Sequence, residues 1–349
     1  MFIADMDFEM DQKVKEEMLK VCERPDFGYF HISDSFYESI VNWYKDIHYI
    51  DIKNEWIVAS IGTIISMHLA CDMLARDQGV VIMTPVYGPF ANCANIGKKF
   101  TLPLLYREGR YNIDFEGLEK LFQTQDIKVL LMCNPHNPGG RVWNRDELKK
   151  VVQLCKSYQI TILSDEIHAD IKLSQDFVSL IEFSNEYDQI IVSSSPNKTF
   201  NISGLSTSFI LSASPQLRQM YSGYLNRLHI GPNRMGINMI EIVYTYGKNW
   251  YLELVEVVKK NVEFAINCVK DTEMVVMKPG SGFLLWVYLP KVQNIEQFVL
   301  DLARDTHVLL EPGSRFVEKY EGWVRINVGT SPQIVKKAMK KFVDYYQNY

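Results

Sequence analysis

Cysteine is scarce in this sequence and unpaired in pattern. The 349 residues hold six cysteines, and none sits in a C-x-x-C pair. Cys22, Cys71, Cys93, Cys133, Cys155 and Cys268 fall mostly in apolar segments. This excludes a disulfide framework and reads as reduced thiols in a cytosolic protein. Cysteine and histidine show no zinc-ligand spacing, so no metal is expected. A run of about 18 apolar residues, needed to cross a membrane, is missing. The start, Met1-Phe2-Ile3-Ala4-Asp5, has neither the basic region nor the long apolar stretch of a signal peptide. Positive charge is not in excess either. The formal net charge is −5, and no basic stripe offers a footprint for nucleic acid. No internal repeat or low-complexity segment stands out. A cytoplasmic globular protein acting on a small molecule is the expectation.

A hydrophobic fraction of 47% and a charged fraction of 23% support an ordinary packed core. Length suggests about two domains. A short amphipathic helix is predicted over 11–22, a turn-rich segment around Pro25, and a helix over 34–48. From residue 56 strands and helices alternate. Strands are predicted at 56–59, 80–83, 128–133, 160–163, 189–192 and 207–211, with helices at 64–75 and 145–158. Continuous apolar strands between amphipathic helices indicate a largely parallel sheet covered on both faces. Beyond about residue 232 the pattern becomes α+β. Helices are predicted at 233–246, 250–271, 295–305 and 332–345, and strands at 283–289, 308–311 and 324–328. The expected architecture is α/β: a large domain over 26–235 with a mostly parallel seven-stranded sheet. A smaller α+β domain is expected from 1–25 and 236–349, joined through a long helix at about 250–271.

Ligands bind parallel sheets at the carboxyl ends of the strands. The strand at 189–192 runs into Ser193-Ser194-Ser195-Pro196-Asn197-Lys198-Thr199-Phe200-Asn201. A lysine there loses hydration, which lowers its pKa and frees its amine for Schiff-base chemistry. Ser60-Ile61-Gly62-Thr63 opens a helix and can cradle a phosphate with backbone N–H groups. Tyr87, in Thr84-Pro85-Val86-Tyr87, can stack on a flat ring. Asn137 sits in the rigid loop Asn134-Pro135-His136-Asn137-Pro138-Gly139-Gly140. Asp165, in Ser164-Asp165-Glu166-Ile167-His168, would be costly to bury without a cation, and a protonated pyridine nitrogen is such a partner. Singly, each has a plainer reading: a solvated lysine, an ordinary N-cap, a packing tyrosine, a structural turn, a capping aspartate. Together they offer an amine, an anion, an oxygen donor, a stacking face and a phosphate cradle. That set matches pyridoxal 5′-phosphate.

The sequence resembles the fold-type I pyridoxal-phosphate enzymes, the class I/II aminotransferase superfamily of aspartate aminotransferase-like fold. More narrowly it resembles the cystathionine β-lyase branch, which includes C–S lyases and the maltose-regulon modulator. The carrying stretches are Ala4-Asp5-Met6-Asp7-Phe8, Phe27-Gly28-Tyr29, Pro85-Val86-Tyr87-Gly88-Pro89-Phe90, Cys133-Asn134-Pro135-His136-Asn137-Pro138, Ser164 to His168, and Ser195 to Asn201. His168 and Asn201 separate this branch from typical aminotransferases.

The resemblance implies roles. Lys198 would hold the cofactor and move the substrate's α-proton. Asp165 would keep the pyridine nitrogen protonated. Asn137 and His168 would touch the phenolic oxygen, and Tyr87 would stack on the ring. Gly62, Thr63 and Ser195 would bind phosphate. Tyr29 would reach the phosphate of a neighbouring subunit, implying a homodimer with shared active sites. Arg325 would clamp the substrate's α-carboxylate, assisted by Asn137. Taken alone Arg325 reads as a surface or salt-bridged arginine, yet an arginine inside an apolar strand needs a buried anion. Ser206 stands where many aminotransferases carry a phosphate-binding arginine, which favours the lyase branch. The chain starts directly before Ala4-Asp5-Met6-Asp7-Phe8, where relatives carry a further segment that helps cover the site and the dimer interface. The expected reaction is β-elimination from cystathionine or a similar cysteine S-conjugate, giving a thiol, pyruvate and ammonia. Transamination shares every residue named. A regulatory or binding protein with weak activity is a third reading. Residues 1–36 and the 315–322 loop are expected to shape the substrate pocket.

Overall fold

A computed structural model describes residues 1–349 apart from 25, 94–97, 174–176 and 319. The turn at Pro25 and one position of the 315–322 loop therefore lie outside the described residues. After an extended start come α1 (Gln12–Cys22), capped by the Asp11 side chain on the Val14 amide, and α2 (Asp34–Trp43). The helix predicted over 34–48 changes character at its end, where Tyr44–His48 forms one π-helical turn. The alternating region runs β1 (Ile57–Ser60), α3 (Thr63–Leu74), β2 (Gly79–Thr84), β3 (Lys98–Pro103), the hairpin β4 (Leu105–Arg107) and β5 (Arg110–Asn112), then α4 (Phe115–Thr124). It continues with β6 (Ile127–Cys133), α5 (Arg145–Ser157), β7 (Thr161–Asp165), β8 (Ile190–Ser194), β9 (Ser208–Leu211) and α6 (Pro215–Leu228). The last part holds α7 (Arg234–Tyr246), α8 (Lys248–Val269), β10 (Val275–Met277), β11 (Leu284–Tyr288), α9 (Ile295–Thr306), β12 (Glu311–Pro312), β13 (Trp323–Asn327) and α10 (Pro332–Gln347).

Seven strands form one sheet in the order β1-β9-β8-β7-β6-β2-β3. Six run the same way, and β9 is antiparallel to both its neighbours. Alternate residues divide between the two faces, as strand geometry requires. Val80, Ile82, Val129 and Leu131 pack with α3 and α6, while Val81, Leu130 and Met132 pack with α5 in the main core. Both faces are dry, which explains the unbroken apolar strands. Each fully buried Val, Leu or Ile stabilises by about 1.5–3 kcal/mol relative to exposure. A second sheet, β10-β11-β13-β12, is antiparallel throughout.

Two differences from the sequence reading have clear causes. Strand β3, which carries Lys98 and Lys99, is not among the predicted strands. It is the edge strand, where charged residues protect an unpaired backbone edge. The strand predicted at 308–311 reduces to Glu311–Pro312, because only those two residues pair with β13.

Strand direction positions the site. The carboxyl ends of β1, β2, β6, β7 and β8 meet along one edge of the large sheet, together with the start of the reversed β9. The loops leaving these ends carry Gly62, Tyr87, Asn137, His168 and Lys198.

Candidate active site

A cavity of about 440 Å³ opens at that edge. Lys198, Gly62, Thr63, Tyr87, Asn137, Asp165, His168 and Arg325 all line it. Ser195 and Tyr29 do not. Ser195 is buried, and its hydroxyl donates to the Thr207 carbonyl at 2.8 Å while accepting from the Asn197 amide. It braces the lysine loop and does not face the cavity. Tyr29 is fully exposed on the surface. Ser203 and Ser206 line the cavity instead, and Ser206 sits in the left-handed region at φ 45°.

Each side chain is held by its own element. The Lys198 loop joins β8 to β9 and is pinned from behind. Thr199 Oγ1 donates to Asp170 Oδ2 at 2.6 Å, while Trp43 Nε1 and His48 Nε2 donate to Asp170 Oδ1, each at 2.9 Å. Burial alone would raise the Asp170 pKa, but His48, Thr199 and Trp43 together hold it below the ordinary carboxylate value. The Lys198 amine donates to the Ala4 carbonyl at 2.7 Å and lies 3.5 Å from Asp5 Oδ1. Loss of hydration pushes its pKa down, and the Asp5 charge partly opposes this.

Asp165 ends β7. Its Oδ1 accepts the Ile167 amide at 3.2 Å. Burial pushes its carboxyl up to about 7, because the nearest cation, Lys198, offsets little of the lost hydration. The neighbouring Glu166, also raised to about 7 by burial, is fully engaged by Ser164, Ser179 and the Leu180 amide. Asp165 thus faces the cavity as a buried carboxyl whose charged form lacks a close cation, whereas Glu166 ties the chain together. Burial, aided by the charges of Lys198 and Arg325, drives His168 down to about 3, so its ring is neutral at physiological pH.

The Asn134–Arg141 loop owes its rigidity to several anchors. His136 Nε2 meets the Pro85 carbonyl at 2.7 Å. Arg141 Nη2 forms a fork onto Glu147 of α5 at 2.6 and 2.8 Å. Trp143 Nε1 donates to the Cys133 carbonyl at 3.0 Å. Held this way, Asn137 Oδ1 accepts from Arg325 Nη1 at 3.1 Å, which leaves its amide nitrogen as a donor. Opposite it, α3 begins. Gly62 adopts φ 107°, a conformation glycine tolerates, and its amide donates to Ser208 Oγ. The next amides, of Thr63, Ile64 and Ile65, lack partners inside the helix, and all three residues line the cavity.

Two features escaped the sequence reading: the partner of Arg325 and the anchors that hold the N-terminal strap, although residues 1–36 were expected to shape the pocket. Arg325 is paired with Glu311, its direct cross-strand neighbour. An anion for Arg325 was expected, but a register pairing between distant segments is not visible in residue order. Phe2, Ile3 and Ala4 form one wall. Asn201 clamps this strap by accepting the Met6 amide at 3.0 Å and donating to the Met6 carbonyl at 2.7 Å. Asn327 Nδ2 also donates to the Ile3 and Asp5 carbonyls. Among the described residues, no group of three or more His, Cys, Asp or Glu side chains is placed to hold a metal ion. Nor is any described helix long and apolar enough to cross a membrane.

The sequence profile of aminotransferase class I and II matches residues 5–342. The chain belongs to this family. Among aminotransferase-family relatives, the cystathionine beta-lyase PatB of Bacillus subtilis (strain 168) is 31% identical over 355 residues, spanning 98% of this chain and 90% of the relative. Cystalysin from Treponema denticola, whose crystal structure contains pyridoxal 5′-phosphate, superposes with a TM-score of 0.94 at 26% identity. That match covers 99% of this chain and 90% of cystalysin. The pyridoxal-phosphate-bound C–S lyase from Staphylococcus hominis, complexed with L-cycloserine, gives 0.91 at 28% identity, covering 99% and 88%.

Proposed function

We propose that this chain is a pyridoxal-phosphate-dependent C–S β-lyase. It cleaves cystathionine or a similar cysteine S-conjugate to a thiol, pyruvate and ammonia, consuming one water. One observation carries the reading: a desolvated lysine and an unneutralised buried aspartate face each other across one cavity in a chain 31% identical to a cystathionine β-lyase. The donor set fits the cofactor. Asp165 suits a protonated ring nitrogen, Tyr87 a ring face, and the first turn of α3 with Ser203 and Ser206 an anionic group. Asn137 and His168 suit the phenolic oxygen. When bound, pyridoxal phosphate supplies an aldehyde that captures an amine and a ring that accepts the electron pair released at the α-carbon.

The chain's own residues do the rest. Lys198 holds the cofactor at rest through its amine, then takes the α-proton of the substrate in its neutral form, which desolvation favours. The neutral His168 ring adds no competing positive charge beside it. Arg325, steadied by Asn137, receives the α-carboxylate and fixes the α-carbon before Lys198. The Phe2–Ala4 wall borders the space left for the sulfur substituent. Release of pyruvate and free thiol from cystathionine without any 2-oxoacid is the expected result. Strict dependence on an added 2-oxoacid would overturn the lyase in favour of transamination.

The assembly is proposed as a homodimer with shared sites, in the cytoplasm. Six free cysteines support a reducing compartment, and the fully exposed aromatic ring of Tyr29 beside the exposed Phe27 supports burial against a second subunit. The division into 26–235 and 1–25 with 236–349 is likewise proposed, supported by the placement of the seven-stranded sheet within 57–211 and the four-stranded sheet within 275–327. If Tyr29 serves the partner's site, mixing inactive Lys198→Ala with weakened Tyr29→Ala chains restores roughly a quarter of wild-type activity, because half the dimers are mixed and each carries one intact site. No recovery after subunit exchange, or a fully active monomer in gel filtration, would refute sharing.

A further inference from the structure

One carboxylate in the cavity wall has no task in the reaction. Glu311 begins β12 directly opposite Arg325 of β13. Its Oε2 forms an ion pair with Arg325 Nη2, and the two side chains are only 11% and 2% exposed. The rest of the Arg325 guanidinium is thinly satisfied: Nη1 goes to Asn137 Oδ1, Nη2 reaches the Phe2 carbonyl at 3.4 Å, and Nε has no hydrogen-bond partner among the described residues. Glu311 also has a second cation within reach. Arg315 Nε lies 3.9 Å from Glu311 Oε1, on a side chain 56% exposed whose guanidinium rests 4.8 Å from the Phe2 ring centroid. Glu311, Arg315, Arg325 and Phe2 all line the cavity.

A substrate carboxylate arriving at Arg325 would therefore meet a carboxylate already on the same guanidinium. Two like charges sharing one buried cation repel strongly. A lone buried guanidinium would be costly too, so the protein needs a counter-ion when the cavity is empty of substrate. We propose that Glu311 is the resting counter-ion of Arg325 and passes to Arg315 when the substrate's α-carboxylate binds. Glu311 is then a specificity-determining residue. It sets how much of the carboxylate's binding strength the cavity keeps, and Arg315 sets how readily the handover occurs. The proposal rests on the reading of Arg325 as the carboxylate clamp.

The test is calorimetric titration of the cofactor-loaded protein with 3-(methylthio)propionate, which carries a thioether and a carboxylate but no amine to react. Its amide, 3-(methylthio)propionamide, is the uncharged control. Glu311→Gln should bind the carboxylate about tenfold more tightly and leave the amide unchanged. Arg315→Gln, at an exposed position that folding tolerates, should weaken the carboxylate several-fold. The double variant should behave as Glu311→Gln alone, because without Glu311 there is nothing for Arg315 to receive. Weaker carboxylate binding in Glu311→Gln, equal changes for both ligands, or independent effects of the two substitutions would overturn the handover. Arg325→Gln separates the two levels. If it abolishes carboxylate binding while Glu311→Gln changes nothing, the handover alone is overturned. If it leaves carboxylate binding intact, the clamp falls and the handover with it.

Discussion

Replacing Lys198 by alanine is expected to lower pyruvate release from cystathionine by on the order of 10⁴-fold or more. Two functions leave with the one amine: the attachment point of the cofactor and the base that moves the α-proton. The fold should survive. Among the described residues the amine bonds only the Ala4 carbonyl and the exposed Asp5 carboxylate, while the loop behind it stays pinned through Thr199 and Asp170. Circular dichroism and thermal unfolding should therefore match wild type, and the visible absorbance of the cofactor-loaded protein should vanish. A variant that keeps both its colour and more than about a hundredth of the activity would exclude Lys198 from both roles.

Asp165→Asn should cost about 10²–10⁴-fold in turnover, since an amide cannot hold a proton on the ring nitrogen. A second signature follows from its buried position and needs no turnover. The carboxyl is pushed from 3.8 up to about 7 in the cofactor-free protein. Between those values the folded state keeps its proton while the unfolded chain releases it, so stability falls as pH rises. The favourable contribution is full below about pH 4 and is lost as pH climbs through about 7. Its size is on the order of a few kcal/mol. Glu166, raised to the same region, adds a slope of the same sign that Asp165→Asn leaves in place. Chemical unfolding of the cofactor-free protein at pH 5 and pH 8 should show this loss, and Asp165→Asn should reduce it. Loading with cofactor should reduce it as well, by giving the carboxylate a cation. An unchanged slope in both cases would mean that Asp165 titrates as an ordinary surface acid.

Much of the arrangement was legible because strand ends announce themselves. Lys198, Asp165 and Asn137 each follow an unbroken apolar run, and a parallel sheet brings such ends together. Gly62 was readable as a helix start, and Arg325 as a charge that an apolar strand would not hold alone. For Ser195, residue type does not tell which way a hydroxyl turns, and here it donates to the Thr207 carbonyl. Glu311 and Asp170 were unreadable for another reason. Each takes its meaning from a partner more than ten residues away in sequence: Arg325 across two strands, and His48, Trp43 and Thr199 from other parts of the chain. Strand β3 was missed because edge protection imitates a solvated surface.

The reversed strand β9 has a mechanical consequence. Because β9 returns beside β8, the lysine loop is a bridge with both piers in the same sheet, from Ser194 to Ser208. A crossover into a helix would have left one pier on a separate, adjustable element. Here the reach of the amine is set by how the two strands are aligned, Val192 against Leu211 and Ser194 against Phe209. A slip of one residue would shift one pier by about 3.4 Å, longer than a hydrogen bond. Insertions or deletions anywhere in that span would act as errors of alignment between bridge and sheet, felt first at the lysine tip and last in the core.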